Sequence, residues 1–266
     1  MSEFFLELFS EEIPAGLQKN LREKIFEDFK NLFEEKSIRS KKNFSFSTPN
    51  RLVLVFEGLD KQIKIKSEEI RGPKTSAPEQ ALEGFLKSNK IDKKDLFKKK
   101  TDKDEFYFYK TAATSLNTHD LLTEFIPKIL SNYQWKKSMK WGEFDLNWGR
   151  PLKSILSIFD KKIISFKFHH LTSSNLTFLD KDFEEKKRSF ENFKKYEKFF
   201  EDNGVIVNQN KRLKIINKSF LKILGKKGLK INENPKLMDE VVNLVDSPNV
   251  LLCKFDKKFL SVPKEI

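Results

Sequence analysis

One cysteine, Cys253, is all that the 266-residue chain carries. A lone thiol excludes an internal disulfide framework and fits a reducing compartment, so the cytoplasm is the expected location. No apolar run approaches the ~18 residues that a membrane span needs. The first residues also lack a basic stretch followed by a long apolar one, so no secretory leader is expected. Neither G-x-G-x-x-G nor a Walker A sequence occurs, which leaves the chain without a recognisable phosphate-cradling loop. A G-x-S-x-G elbow is missing too, and with it the commonest sign of a serine nucleophile; no catalytic residue is assigned. Of three histidines, His119 stands beside Asp120 at a helix start, where an acid suits the helix dipole and the imidazole needs no further role. His169 and His170 are adjacent, and neighbours in a strand point to opposite faces. No second ligand pair stands at a structural-zinc spacing, so no metal site is expected.

Lysine and phenylalanine are what the chain has in quantity. With 27 Phe and 38% hydrophobic residues it can build a core, despite a mean hydropathy of −0.57, and global disorder is excluded. The formal charge of +13 invites a polyanion partner, because lysines set against phosphates release counterions. Only seven of the 52 basic residues are arginine, however, and Phe, Ile and Asn are abundant. An AT-rich coding sequence produces that bias by itself, so basicity alone does not decide the partner.

A short apolar run predicts a first strand over Phe4 to Phe9, then a turn around Pro14 and Gly16. Leu17, Leu21, Ile25, Phe29 and Leu32 recur at helical spacing. Two strands flank Thr48-Pro49-Asn50. "KQIKIKSEEI" reads as one half-exposed strand stopped by Arg71-Gly72-Pro73, and 79 to 89 as a short helix. A lysine-rich loop near 98 to 103 precedes the strand "EFYFYKTA"; Asn117 or Thr118 caps a helix through Leu130. An irregular connection then carries all three tryptophans, followed by a hairpin turning at Asp160-Lys161-Lys162 whose first arm also suits a helix. Residues 184 to 202, 208 to 224 and 236 to 245 read as helices, and "NVLLCKFD" as a final strand. Strands scattered among helices, several as hairpins, predict an α+β fold with mixed or antiparallel strands and packed helices. A shift to dense charge near 181 to 190 suggests two domains, 1–180 and 181–266, the second mainly helical.

"FLKILGKKGLKI" combines two readings. Gly225-Lys226-Lys227-Gly228 is similar to the loop with which KH modules clamp a nucleic-acid backbone. An amphipathic helix closed by a glycine suits it better, because Pro235 soon interrupts the helix that such a loop should feed. Lys214, Lys218, Lys222 and Lys226 stand four apart and form one stripe, opposite Leu213, Ile216, Phe220 and Leu224. From Lys211 to Lys230 there are eight basic residues and no acid. That stripe is a candidate RNA-backbone surface.

Taken in order, several segments resemble the beta subunit of bacterial tetrameric glycyl-tRNA synthetase. "FLELFSEEIPAG" resembles its opening strand and T-E-E-[IL]-P motif, with Ser10 in place of threonine. "STPNRLVLVFEGL" is similar to its A-T-P-R-R-L segment, with Asn50 in place of arginine. "EEIRGP", "ALEGFLKS", "SMKWG" and "WGRPLKSIL" follow in the family's sequence, and "YEKFFEDNGVIV" and the closing thirty residues match in pattern. Between Thr177 and Phe183 the family's G-H-R-F stretch is replaced by "TFLDKDF". The chain stops at Ile266 inside a continuing motif, so the resemblance implies an N-terminal portion of a longer subunit or a truncated gene product.

The resemblance implies an editing-domain-like α+β fold and a role in attaching glycine to tRNA(Gly). It implies an alpha subunit that holds ATP and Mg and activates glycine, no cofactor bound by this chain, and a heterotetramer as the complete protein. It sets Arg51, Arg71 and Arg150 in family-like motifs as candidate tRNA contacts, beside Lys214, Lys218, Lys222 and Lys226, though each arginine equally suits a structural ion pair. Glu11, Glu12, Pro14, Trp141 and Gly142 are expected to be structural, the two acids as a strand-to-helix joint that favours the helix N-terminus. A free-standing hydrolase of mischarged tRNA and a non-catalytic RNA-binding or docking module are the alternative functions.

Overall fold

The computed structural model describes residues 2–65, 67–101, 104–179 and 187–261, with 64, 65, 114, 226, 227 and 260 described by backbone alone. Contacts divide the chain into two compact units, Met1–Asp60 with Leu122–Ile266, and Lys61–Leu121. The fold is α+β: six α-helices, and strand ladders that are all antiparallel among the described residues.

The first unit is built on β1 (Glu3–Ser10), β2 (Lys42–Thr48), β3 (Arg51–Glu57), and the hairpin of β9 (Leu152–Phe159) with β10 (Lys162–Ile163). These form a five-stranded sheet in the order β10-β9-β1-β3-β2. β1 is central and buried on both faces, which is why its sequence is a nearly continuous apolar run. Successive residues alternate between faces. Phe4 packs with Phe56 against Phe29 and Phe33 of α1 (Ala15–Glu35). Phe5 points the other way, onto Phe193 and Tyr196 of α4 (Phe193–Asp202). Burying each such ring stabilises the fold by about 2–3 kcal/mol. α1 arises where the sequence placed it, because Leu21, Ile25, Phe29 and Leu32 share one buried stripe. The β9–β10 turn uses positive φ at Asp160 and Lys161, as tight hairpins do.

Around the sheet stand two short hairpins, β11 (Lys167–Phe168) with β12 (Leu171–Thr172), and β13 (Leu176–Phe178) with β14 (Lys187–Ser189). α3 (Thr118–Asn132), α5 (Gln209–Lys227) and α6 (Pro235–Leu244) complete the helices of this part of the chain. The second unit pairs β4 (Gln62–Ile65) with β8 (Thr114–Asn117). It also forms a three-stranded sheet of β5 (Glu69–Lys74), β7 (Asp104–Lys110) and β6 (Leu96–Thr101), against which α2 (Glu79–Asn89) packs.

Several expectations are corrected. "KQIKIKSEEI" supplies two strands in different sheets, and Arg71-Gly72-Pro73 continues the second as a bulge on an edge strand, where proline is tolerated. Lys98 to Lys100 lie in strand β6, with the ammonium groups of Lys98 and Lys99 reaching over the rings of Tyr107 and Phe108 rather than out into a loop. His169 and His170 form the turn between β11 and β12, not a strand. The helix expected over 184 to 202 begins at Phe193, after β14; residues 184 to 186 lie outside the described set. The final strand does not form: Leu251, Leu252 and Phe255 are exposed, and no described segment supplies the ladder that a strand needs. Gly225, Lys226 and Lys227 are the last turn of α5, which Gly228 ends in the left-handed conformation, so the glycine-closed helix holds and the KH-like loop does not. The expected division near 181–190, like the replaced G-H-R-F stretch, falls largely outside the described residues.

Candidate nucleic-acid interface

α5 is fixed at its start by hydrogen bonds. Asn208 caps it by accepting from the backbone N–H groups of Asn210 and Lys211. Gln209 then acts as a stub of strand on the open edge of β2: its amide donates to the Ser45 carbonyl and accepts from the Ser47 N–H. One turn later Arg212 is fully buried and has four carbonyl acceptors: Val242, Ile206, Val207 and Ser47. Burial pulls its guanidinium down to about 10, which leaves it charged at neutral pH. Arg22 of α1 donates to the Ser47 hydroxyl at 2.6 Å, so two helices meet on one edge residue. Neither buried arginine was foreseen from the sequence.

With that side anchored, Lys214, Lys218 and Lys222 fall on the exposed side of α5, as their spacing predicts. One helical turn apart, they lie about 6 Å from one another along the axis. Lys211, which precedes the stripe, is held by ion pairs to Glu197 and Glu201 of 2.9 and 2.6 Å. The Lys226 side chain is outside the described set. On the other side of α5, Leu213, Phe220 and Leu224 line a cleft of about 670 Å³ with Leu237, Met238 and Val241 of α6.

The three arginines in family-like motifs part company. Arg51 is 2% exposed and cannot offer its fork to a polyanion. It donates to the Phe178 and Leu179 carbonyls at 2.5 and 2.9 Å, lies between the rings of Phe9 and Phe200, and faces the Glu7 carboxylate at 3.5 Å. Glu7 is itself fully buried and accepts from the hydroxyls of Thr177 and Tyr196. Burial raises the Glu7 carboxyl above its ordinary value, against the pull of Arg51 and the two hydroxyls. The structural ion pair is therefore the role of Arg51. Arg150 is half-buried and turned onto the Gly149 carbonyl at 2.7 Å. Arg71, in the second unit, is exposed and lies 3.6 Å over the ring of Phe106.

The motif residues expected to be structural stand as follows, and the two acids do not sit where a helix dipole would favour them. α1 begins at Ala15, after Pro14, with no acid in its first turn. The Glu11 N–H donates to the Pro151 carbonyl, while its carboxylate pairs with Lys153 at 2.6 Å. Ser10 donates to Asn50, and Ile13 to Pro49. The opening motif, the Thr48-Pro49-Asn50 turn and the Arg150-Pro151 entry to β9 thus knot together at one end of the sheet. Glu12 is exposed. Trp141 and Gly142 make a turn, closed by the Phe144 N–H on the Trp141 carbonyl, that uses φ +54° at Gly142. Gly149 is required by close approach, since a Cβ there would stand 2.1 Å from the Trp135 ring.

Comparison with known proteins adds a sequence-wide likeness. A family model described as glycyl-tRNA synthetase beta subunit matches residues 4–266. Among curated proteins, the glycine–tRNA ligase beta subunit of Rickettsia canadensis is 38% identical over 266 residues, that of Rickettsia conorii 39%, and that of Rickettsia felis 37% over 268. Each alignment covers all of this chain and 40% of the relative, so the chain spans well under half the length of the curated relatives it matches.

Proposed function

Because the chain belongs to the glycyl-tRNA synthetase beta subunit family, we propose that it supports the attachment of glycine to tRNA(Gly) by contacting the tRNA and a separate alpha subunit. The alpha subunit would hold ATP and Mg and carry out activation. The family match over nearly the whole chain is the observation that carries this reading. The exposed lysines of α5 agree with it. Lys214, Lys218 and Lys222 stand on a helix whose other side is anchored to the sheet, so they meet a phosphate backbone without reordering the fold. The complete protein would be a cytoplasmic heterotetramer.

Titration of tRNA(Gly) over a series of salt concentrations tests the contact. Affinity should fall steeply as salt rises, and reversing the three lysines to glutamate should weaken binding and flatten the dependence. Binding that ignores both salt and the reversal would remove direct tRNA contact from the account.

A further inference from the structure

The connection between α3 and β9, rich in tryptophan, presents an aromatic ring in an unusual way. Its Met139–Trp148 stretch is closed by a pair of backbone hydrogen bonds, Met139 N–H to the Trp148 carbonyl at 2.8 Å and the reverse at 3.1 Å. The base of the loop is packed: Trp148 is buried, and Trp135 lies edge-on to it with ring centroids 4.9 Å apart. The tip is not. Phe144 remains 42% exposed. One face of its ring is covered by His170, nearly parallel at 9° and 3.7 Å between centroids, with Trp141 edge-on at 6.5 Å. A ring backed by a stacked imidazole and by a turn with positive φ at Gly142, and still 42% exposed, is preorganised for stacking.

Charge precedes it along the chain. Lys136, Lys137 and Lys140 lead into the loop, all exposed and with no ion pair among the described residues. Glu143 and Asp145 flank the ring on the loop tip and are also exposed. A bound strand would therefore run its phosphates along the lysine approach and keep them off the tip. Aromatic rings beside cations are how single strands are held without base-pair readout: the ring takes a base face and the cations follow the backbone.

We infer that Phe144, backed by His170 and served by Lys136, Lys137 and Lys140, is a stacking site for an unpaired base of single-stranded RNA. It rests on the reading that RNA is the partner, and it is separate from the α5 stripe. Duplex RNA keeps its base faces stacked internally and has none to offer the ring.

The test uses the full chain and a short oligoribonucleotide carrying one fluorescent aminopurine, single-stranded or annealed into a blunt duplex, with intact tRNA(Gly) titrated alongside. Stacking on Phe144 quenches the free analogue, so the single strand should be quenched and bound more tightly than the duplex. Phe144→Ala should abolish the quenching and weaken single-strand binding roughly tenfold; Phe144→Trp should restore both. Lys136→Gln with Lys137→Gln and Lys140→Gln should weaken binding and lower its salt dependence while the quenching at saturation persists. Phe144 is exposed, so an unchanged melting curve confirms that the alanine variant is folded. Equal affinity and equal quenching in Phe144→Ala, with tRNA still bound, would overturn the stacking site alone. Failure of the unmodified chain to bind either single strand or tRNA would overturn the inference together with the RNA-facing role.

Discussion

Glu7 stands at the centre of the first unit with no access to water. A buried carboxylate left unpaired is costly, and here Arg51, Thr177 and Tyr196 together satisfy it. Its raised pKa gives a sign. Between the ordinary carboxylate value and the raised folded value, the native state holds a proton that the unfolded chain has lost, so stability declines as pH rises through that window. The advantage of the natural chain over Glu7→Gln should therefore shrink as pH climbs above the ordinary range, then level off; melting temperatures of the pair across pH measure it. An advantage that grows with pH would mean that Arg51 wins over burial. Arg51→Leu should cost about 3–5 kcal/mol in denaturant unfolding, because the buried Glu7 charge loses its counterion. None of this was legible in the sequence: Thr177 and Tyr196 stand 170 and 189 positions from Glu7. Gly149 belongs to the same scale. Gly149→Ala should destabilise by about 1–3 kcal/mol as the Trp135 ring is displaced, visible as a lowered melting temperature with altered tryptophan fluorescence.

Among elements, α5 shows the clearest division of faces. Its inner side is spent on Arg212, Ile216 and the Gln209 clasp of the β2 edge, while its outer side carries the three lysines together with exposed Ile215 and Leu221. Charge reversal at Lys214, Lys218 and Lys222 should change stability by no more than about 0.5 kcal/mol, since exposed substitutions rarely do more. For every phosphate that the reversal leaves unneutralised, the salt slope of RNA binding should fall by about 0.7–0.9. A large drop in melting temperature would mean instead that the stripe supports the fold. Amphipathic helices such as α1 and α5 were readable because the apolar period survives a lysine-rich composition. β6 was not, because Lys98-Lys99-Lys100 in isolation looks like a solvated loop. Only pairing with the aromatic strand β7 gives Lys98 and Lys99 a ring to lie over. The last strand failed for the opposite reason: its apolar pattern is strand-like, yet no described segment pairs with it. The acids at 11 and 12 precede α1 rather than start it, and the backbone hydrogen bonds of Ser10, Glu11 and Ile13 go to turns distant in the chain.

At the scale of the whole molecule, the excess of 13 positive charges is a field rather than a site. What gives it direction is the fold, which buries Arg51 and Arg212 and leaves Lys214, Lys218 and Lys222 exposed on one helix. Motifs lying far apart in sequence meet at one end of the five-stranded sheet, so the family pattern marks the scaffold more strongly than any contact surface. The central claim, support of glycine attachment to tRNA, is tested most directly in the source cell. The gene product that contains this chain would be depleted, and the charged fraction of every tRNA measured side by side. The account predicts a selective fall in glycylated tRNA, with the other tRNAs charged as before. Unchanged glycine charging under full depletion would contradict it.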